Sequence, residues 1–187
     1  MSIHQYPVAV LANGIRQQRK HASIEDYASL ARKAEAKGAD WFIVNNGRAQ
    51  IWEPQVLLAH LTLHTRSIGL GVPIATSFSE PYHVARILAT IDHFSKGRAA
   101  WQIIFRADYD RDTQYVRTAP PADEAERARE LFDVVRKLWD SWEDDAVVND
   151  KAAGRFLNTD KIRHINHRGK YFGVRGPSPV PRPPQGH

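Results

Sequence analysis

The sequence predicts an α/β fold built on a parallel sheet. Short apolar runs alternate with longer segments of helical periodicity along the first 145 residues, which is typical of consecutive βα units. A length of 187 residues with 42% hydrophobic and 25% charged side chains is that of one globular domain. Neither an internal repeat beyond this alternation nor a Gly/Ser-rich linker indicates a second independent domain.

The first βα unit consists of a strand over residues 7–11 and a helix over residues 24–37. Ser23 precedes this helix and Asp26 follows three residues later, which is the spacing of a capping box. Gly38 favours the end of the helix, because glycine readily adopts the left-handed conformation that terminates helices. The apolar residues of the helix recur on one stripe, so we expect that face to be buried.

Three further buried strands follow, and a proline marks the start of each of the next two helices. These helices begin at Pro54 and Pro81, and the first of them is predicted to run through His64. A turn over residues 95–98 leads into the last strand. The three strands are predicted over residues 41–44, 67–73 and 99–105.

A longer amphipathic helix begins at Glu124 and carries its apolar face through Trp142 to an acidic run. Acid at a helix C-terminus opposes the helix dipole, so we expect neighbouring basic groups to compensate it. An irregular stretch follows, and then a proline-rich segment that cannot be helical. Within the irregular stretch, short strands are predicted over residues 162–165 and 170–174.

The formal net charge of +5 is unevenly distributed. Residues 1–120, 121–150 and 151–187 carry +4, −6 and +7. A basic tail can bind nucleic acid. Here its basic side chains are dispersed, and the acidic helix before them offers an internal partner. We therefore predict no nucleic-acid binding.

The sequence lacks the features of thiolate sites, membrane helices and secreted proteins. The chain has no cysteine, which suits a reducing cytoplasm and excludes thiolate chemistry. Its apolar runs are shorter than the roughly 20 residues of a membrane helix, and its start lacks the pattern of a signal peptide. We therefore predict a cytoplasmic protein without membrane contact.

Metal and nucleotide chemistry also lack their usual motifs. His60 and His64 are spaced four residues apart, and His164 and His167 three apart, but neither pair has a third ligand nearby in the sequence. The nucleophile elbow, the Walker loop and the dinucleotide fingerprint are missing as well. We predict no metal site, and hydrolase or nucleotidase activity is not favoured.

Seven short motifs, in this order along the chain, together resemble the bacterial luciferase-like, flavin-dependent monooxygenases. The branch that the sequence resembles most is the nitrilotriacetate and dibenzothiophene-sulfone monooxygenase group. The motifs are residues 52–54 (WEP), 80–86 (EPYHVAR), 92–93 (DH), 95–98 (SKGR), 138–145 (LWDSWEDD), 169–172 (GKYF) and 175–177 (RGP).

The resemblance implies a (β/α)8 TIM-type barrel, reduced FMN supplied by a separate flavin reductase, and oxygenation of a small organic substrate with O2. A full barrel of this type has about 250 residues. The chain then corresponds to the N-terminal half, with a half-barrel domain over residues 1–145. Residues 146–187 form an insertion and a Pro-rich tail. We expect a truncated chain, a homo-oligomer or assembly with a complementary C-terminal half, because an open half-barrel exposes sheet edges.

Two departures from the family pattern bear on FMN binding. The fourth strand has Trp101 and Gln102 where relatives usually have Trp-Asn, so an amide remains but reaches farther. Residues 121–125 read PADEA where the family often has His-Asp-Glu-Arg-Tyr, so the phosphate-directed His and Tyr are lacking. The sequence therefore predicts weak or no FMN binding by this chain alone. The alternative is an inactive, degenerate half-barrel that acts as a binding or assembly module.

The candidate site lies at the carboxyl ends of the strands, where barrel enzymes bind their ligands. Neutral amide and hydroxyl groups suit the polar edge of a flavin ring, although the same residue types also satisfy turns and helix caps. The candidate flavin-binding residues are Asn45, Thr76, Ser77, Gln102 and Arg106, and Asn13 and Asn46 occupy similar positions.

Two charged or titratable candidates have alternative roles. Arg106 either faces the ligand or pairs with Asp108 or Asp110, as an arginine in a charged loop commonly does. His83 follows the start of the third helix near the same end of the barrel and is the candidate catalytic residue. Its alternative role is packing or capping within that helix.

Overall fold

The computed structural model describes residues 7–12, 16–17, 20–44, 52–104 and 123–186. Apart from a short strand pair at residues 16–17 and 20–21, strands and helices alternate along the described chain up to residue 104, as the sequence predicts. The helices are α1 (Ile24–Ala36), α2 (Pro54–Leu61), α3 (Pro81–Ser95) and α4 (Glu124–Trp139). The strands are β1 (Ala9–Ala12), β2 (Arg16–Gln17), β3 (Lys20–His21), β4 (Trp41–Val44), β5 (Gly69–Ala75), β6 (Ala99–Ile104), β7 (Val147–Asp150), β8 (Arg155–Leu157), β9 (His167–Arg168) and β10 (Gly173–Val174).

The main sheet is parallel and has the order β1-β4-β5-β6. Its register pairs Ala9 with Trp41 and Trp41 with Gly69. Each neighbour along the sheet is the next long strand along the chain, with a helix between them, which is the arrangement of successive βα units. The predicted α/β class is therefore confirmed, and so is its match to half of a TIM-type barrel. None of the helices in the described ranges combines the length and apolarity needed to cross a bilayer.

The chain divides into two compact units, Met1–Pro73 with Ile91–Gln102 and Ile74–Thr90 with Ile103–His187. In the first unit, one face of the sheet is buried at its centre: Ala12, Phe42, Val44, Leu70 and Val72 are at most 1% exposed. This face is buried together with the apolar stripes of α1 and α2. The predicted division of the chain at residue 145 stays a prediction.

The ends of the first two helices follow from local hydrogen bonds. The predicted capping box is present, since the Ser23 hydroxyl accepts from the amide of Asp26, and the Asp26 carboxylate accepts from the amide of Ser23. Helix α1 is followed by Gly38 at φ +78°, as expected for a left-handed terminator. The Glu53 carboxylate accepts the amide of Val56 at 2.7 Å and caps α2.

The prediction that the second helix reaches His64 is wrong, because α2 ends at Leu61. The hydroxyls of Thr62 and Thr65 donate to the carbonyls of Ala59 and Leu61 and satisfy them without a further helical turn. The guanidinium of Arg98 also donates to the carbonyl of Thr65. These bonds end the helix at Leu61, and the chain continues from there into β5.

In the second unit, the prediction that the long helix continues through Trp142 is also wrong. Helix α4 ends at Trp139, and the Ser141 hydroxyl donates to the Leu138 carbonyl at 2.5 Å while accepting the amide of Ser178 at 3.0 Å. The indole N–H of Trp142 donates to the Ser178 carbonyl at 2.7 Å. The Pro-rich segment, which contains no helix as predicted, thus binds the chain just beyond the helix end.

The two strands predicted in the irregular stretch are mostly absent. Of residues 162–165, only Ile162 forms a bridge, to Trp142. Of residues 170–174, only the last two form a strand, because the amides of Tyr171 and Phe172 donate to the Glu130 carboxylate of α4 and leave none for a ladder. Strands β7 and β8 form an antiparallel hairpin that the sequence did not predict.

The expected compensation of the acidic run is confirmed. Lys161 pairs with Asp145, and Arg163 contacts the Glu143 carboxylate at 2.6 Å. Arg182, from the basic C-terminal stretch, lies 2.9 Å from Asp140. These basic residues therefore have internal acidic partners, as the charge distribution predicts.

Candidate functional site

The predicted site residues fall into three groups. Asn13, Asn45, Asn46 and Arg106 lie outside the described residues. Gln102 belongs to the first compact unit, and Thr76, Ser77 and His83 belong to the second.

In the first unit, Gln102 lies at the exposed end of an apolar sheet face. Its side chain is exposed, and it shares a face of β6 with Ala100, two residues earlier. A Cβ atom at Gly71 would lie 3.6 Å from the Ala100 Cβ and 3.1 Å from Cγ1 of Ile43, so the three residues are neighbours on that face. The amide of Gln102 therefore follows a surface with very little side-chain bulk on β5.

At the other end of this face, an indole ring covers the surface of β5. A Cβ atom at Gly69 would overlap with ring atoms of Trp41, so the indole lies directly across the glycine. Trp41 and Ile43 are half-buried, and Leu11, which the register places opposite Ile43, is 55% exposed. The face is thus apolar, buried along β5 and partly exposed along β1 and β4, whereas the opposite face is buried at the centre of the sheet.

In the second unit, the residues that follow β5 form a tight 3₁₀ turn, Thr76–Phe78. Thr76 is 1% exposed and its hydroxyl donates to the carbonyl of Ile104 at 3.3 Å. The Ser77 hydroxyl donates to the Glu124 carboxylate at 3.2 Å. The hydroxyl of Ser79 donates to the Ala75 carbonyl at 2.7 Å. We refer to residues 76–79 as the β5 turn.

The β5 turn is held by a residue that the sequence did not point to, Arg127 of helix α4. Its guanidinium donates to the carbonyl of Thr76 and, at 3.1 Å, to the carbonyl of Ser79. Its Cζ atom lies 4.5 Å from the ring centroid of Phe172. The spacing of Glu124 and Arg127, three residues apart on a predicted helix, places both on one face but does not reveal what that face contacts.

His83 lies in the first turn of α3 with an exposed side chain. Its backbone amide donates to the Glu80 carbonyl at 3.1 Å, and its ring is 6.2 Å from that of Tyr82 in an edge-on arrangement. These contacts agree with a role at the helix start. The catalytic role of His83 stays a prediction.

The histidine pairs have protein partners in the part of the chain that the structure describes. The rings of His60 and His64 are 4.5 Å apart, and Arg32 lies 3.2 Å from Nδ1 of His64. Burial, followed by the charges of His60 and Arg32, lowers the pKa of His64. His167 contacts Glu130 at 3.1 Å. Among the described residues, no three potential ligands cluster as a metal site requires.

Comparison with known proteins bears out the resemblance seen in the sequence. A family model described as luciferase-like monooxygenase matches residues 8–187. The chain is 45% identical to nitrilotriacetate monooxygenase component A of Aminobacter aminovorans, over 91% of this chain and 43% of the relative. It is 39% identical to dibenzothiophene-sulfone monooxygenase of Rhodococcus erythropolis, over 72% of this chain and 30% of the relative.

A solved structure agrees with these sequence relatives. The EDTA monooxygenase of Chelativorans sp. BNC1 superimposes with a TM-score of 0.75 and 29% identity, over 94% of this chain and 47% of that chain. The chain thus spans about half or less of the length of each of these proteins.

Proposed function

Because the chain belongs to the luciferase-like monooxygenase family, we propose that it forms the N-terminal half of the barrel of an FMN-dependent monooxygenase. The observation that carries this proposal is the apolar, partly exposed sheet face of the first unit, which ends in the exposed amide of Gln102. The substrates are O2 and a small organic molecule. When bound, reduced FMN supplies the oxygen activation.

The residues of this sheet face fit the ring system of a flavin. An isoalloxazine ring is planar and largely apolar, with carbonyls and ring nitrogens along one edge. The face is apolar, with little side-chain bulk at Gly71 and the indole of Trp41 packed over Gly69, and a carboxamide at its end both donates and accepts hydrogen bonds. Gln102 is therefore the described residue that we assign to the polar edge of the ring.

The described hydroxyls at the end of β5 do not fit the phosphate of FMN. A phosphate group is anionic and needs donors. The hydroxyl of Thr76 is bonded to a carbonyl, and the hydroxyl of Ser77 to the carboxylate of Glu124. We therefore keep Thr76 and Ser77 as ring-side candidates and assign the phosphate to the second half of the barrel.

The open sheet face also supports the proposal of a complementary half. Parallel sheets are normally covered on both faces. On the described face of the first unit, Leu11 is 55% exposed although it is a large apolar residue in a central position of β1. We propose that the C-terminal half of the barrel covers this face, whether it follows on the same polypeptide or is a separate chain.

The remaining partners are inferred from the family. The relative from Aminobacter is named as a component A, and we propose a separate flavin reductase as the source of reduced FMN. A cytoplasmic location, self-association and the absence of nucleic-acid partners stay predictions.

The alternative function is an inactive binding or assembly module. The sequence PADEA at residues 121–125 favours it, because neither the proline nor the alanines donate a side-chain hydrogen bond to phosphate. The two functions differ in one measurable property, which is saturable binding of FMN once the barrel is complete.

The experiment is a complementation assay. The chain is co-purified with the C-terminal half of nitrilotriacetate monooxygenase component A as a second polypeptide, and FMN is titrated while flavin fluorescence and the elution mass are recorded. We expect a heterodimer that binds FMN with a Kd in the micromolar range. A folded heterodimer without FMN binding would support the assembly module and overturn the enzyme proposal.

Two variants test the role of the amide in the same assay. Gln102→Leu removes the hydrogen-bonding group and should weaken FMN binding about fivefold, which is the worth of roughly one hydrogen bond. Gln55→Leu, on helix α2, removes an amide outside the proposed site and should leave Kd unchanged. Equal effects of the two substitutions would contradict the assignment of Gln102.

A further inference from the structure

The β5 turn is fastened at both ends by one side chain. The guanidinium of Arg127 donates to the carbonyl of Thr76, where the turn begins, and to the carbonyl of Ser79, where it ends. Guanidinium is a planar fork of donors with fixed geometry. Two carbonyls bound by one fork keep a fixed separation, so Arg127 sets the span of the turn.

A second side chain of the same helix holds the middle of the turn. The Glu124 carboxylate accepts from the hydroxyl of Ser77 at 3.2 Å. Glu124 and Arg127 are three residues apart and therefore lie on one face of α4. The turn is thus held at its start, middle and end by a single helical surface.

Arg127 is itself held by the segment that follows the hairpin. Its Cζ atom lies 4.5 Å from the ring centroid of Phe172, whose side chain is 5% exposed. The amide of Phe172 donates to the Glu130 carboxylate at 2.9 Å, as does the amide of Tyr171 at 3.1 Å. Glu130 is one helical turn beyond Arg127, so the same helix positions the aromatic ring that packs on the guanidinium.

We propose that Arg127 is a positioning residue for flavin binding, which fixes the β5 turn in the conformation that the flavin ring meets, and that Phe172 fixes Arg127. Immobilising the turn before the ligand arrives removes an ordering cost from binding. The inference rests on the proposed function, because it takes the β5 turn as part of the flavin site. It adds to the proposed site a residue that would act on the flavin through the backbone of the β5 turn.

The test compares two substitutions of Arg127 with two controls. Arg127→Met keeps an unbranched stem and removes the fork, whereas Arg127→Lys keeps the charge but not the planar geometry. Arg136→Met removes an arginine from the same helix that packs near Phe132 instead. Trp139→Phe removes the indole donor to the carbonyl of Ala85 and therefore weakens the unit without touching the turn.

Two readouts are measured on these proteins. Hydrogen exchange of the Ser79 amide, which donates to the carbonyl of Thr76, reports the order of the turn in the chain without flavin. The Kd for FMN is measured in the complemented barrel. We expect Arg127→Met to raise the exchange rate of the Ser79 amide about tenfold and the Kd for FMN about tenfold. Arg127→Lys should have intermediate effects on both. Arg136→Met should change neither, and Trp139→Phe should lower Tm without changing exchange in the turn or Kd.

The outcomes separate this inference from the proposed function. Arg127→Met could lower Tm and still leave the exchange rate of the Ser79 amide and the Kd for FMN equal to those of Trp139→Phe. In that case Arg127 is only a packing residue and the inference is wrong. If exchange accelerates while Kd stays unchanged, Arg127 orders the turn but not the flavin, and the inference is again wrong. If the wild-type barrel binds no FMN, the proposed function is overturned and the flavin role of Arg127 with it.

Discussion

Replacement of Glu35 by glutamine should destabilise the first unit in a pH-dependent way. One carboxylate oxygen of Glu35 accepts the backbone amides of Arg66, Ser67 and Ile68 at 2.6–2.9 Å and the hydroxyl of Ser67 at 3.0 Å. Glutamine keeps the shape and one acceptor oxygen but loses the negative charge. Hydrogen bonds to charged groups contribute about 1.5–3 kcal/mol and neutral ones about 0.5–1.5 kcal/mol, so each of the four bonds is weakened.

The pKa of Glu35 gives an independent magnitude. Partial burial acts to raise this pKa, but the amides of Ile68, Ser67 and Arg66 and the hydroxyl of Ser67 outweigh it and lower the value from 4.5 to about 2. At about 1.36 kcal/mol per pKa unit the shift corresponds to about 3 kcal/mol. Because the carboxylate is partly exposed, solvent screening reduces the expected loss to about 1–2 kcal/mol.

The sign of the pH dependence follows from linkage. The folded state holds Glu35 ionised to lower pH than the unfolded state does, so the contribution is complete above about pH 4.5 and is lost as the pH falls toward 2. Urea unfolding of wild type and Glu35→Gln at several pH values measures this difference. We expect a gap of about 1–2 kcal/mol at pH 7 that closes in acid.

The control is Asp133→Asn, which removes an exposed carboxylate paired with Lys137 four residues away. Such pairs contribute about 0.3–0.5 kcal/mol, so this variant should remain close to wild type. A Glu35→Gln protein that is as stable as wild type at pH 7 would refute the reasoning. So would a gap between the two proteins that persists unchanged at low pH.

Two further substitutions test packing and the tail. Gly69→Ala should destabilise by about 1–3 kcal/mol through overlap with Trp41 and change the tryptophan fluorescence, whereas Gly173→Ala, whose Cβ would meet no atom within 4 Å, should not. Ser141→Ala leaves the amide of Ser178 without its acceptor and should cost about 1–3 kcal/mol. Limited proteolysis should then cut the Pro-rich segment faster, and unchanged cleavage would contradict this role.

Local features of the fold were predictable because neighbouring residues determine them. The capping box of Ser23 and Asp26, the terminator Gly38 and the turn at residues 95–98 depend on side chains within a few positions of one another. The strand over Trp41–Val44 was also predicted with its observed bounds, since an apolar run flanked by turn residues has few alternatives.

The helix ends that the sequence missed depend on partners far along the chain. Helix α4 stops before Trp142 because Ser141 and Trp142 bond to Ser178, 36 or more residues away. Tyr171 and Phe172 do not form a strand because the Glu130 carboxylate accepts their amides. Periodicity describes one element at a time, so it cannot indicate that a carboxylate on one element will compete for the amides of another.

The same distinction applies to the candidate site. Thr76, Ser77 and Gln102 are candidates because parallel strands present ligand residues at their carboxyl ends, and their role in flavin binding stays a prediction. Arg127 was not found, because the acceptors of its guanidinium are backbone carbonyls about 50 residues away, which have no sequence signature. Contacts of this kind become visible only when the packing between helix and turn is known.

The composition of the strands supports the half-barrel interpretation more directly than any motif. The run Trp41–Val44 is apolar at every position, so both faces of β4 are suited to burial, as expected of a parallel sheet covered on two sides. Phe42 and Val44 are fully buried, whereas Trp41 and Ile43 on the opposite face are only half-buried. A sheet designed for one covered face would alternate apolar and polar residues. The half-exposed face is therefore suited to a second cover, which the complementary half of the barrel would supply under the proposed function.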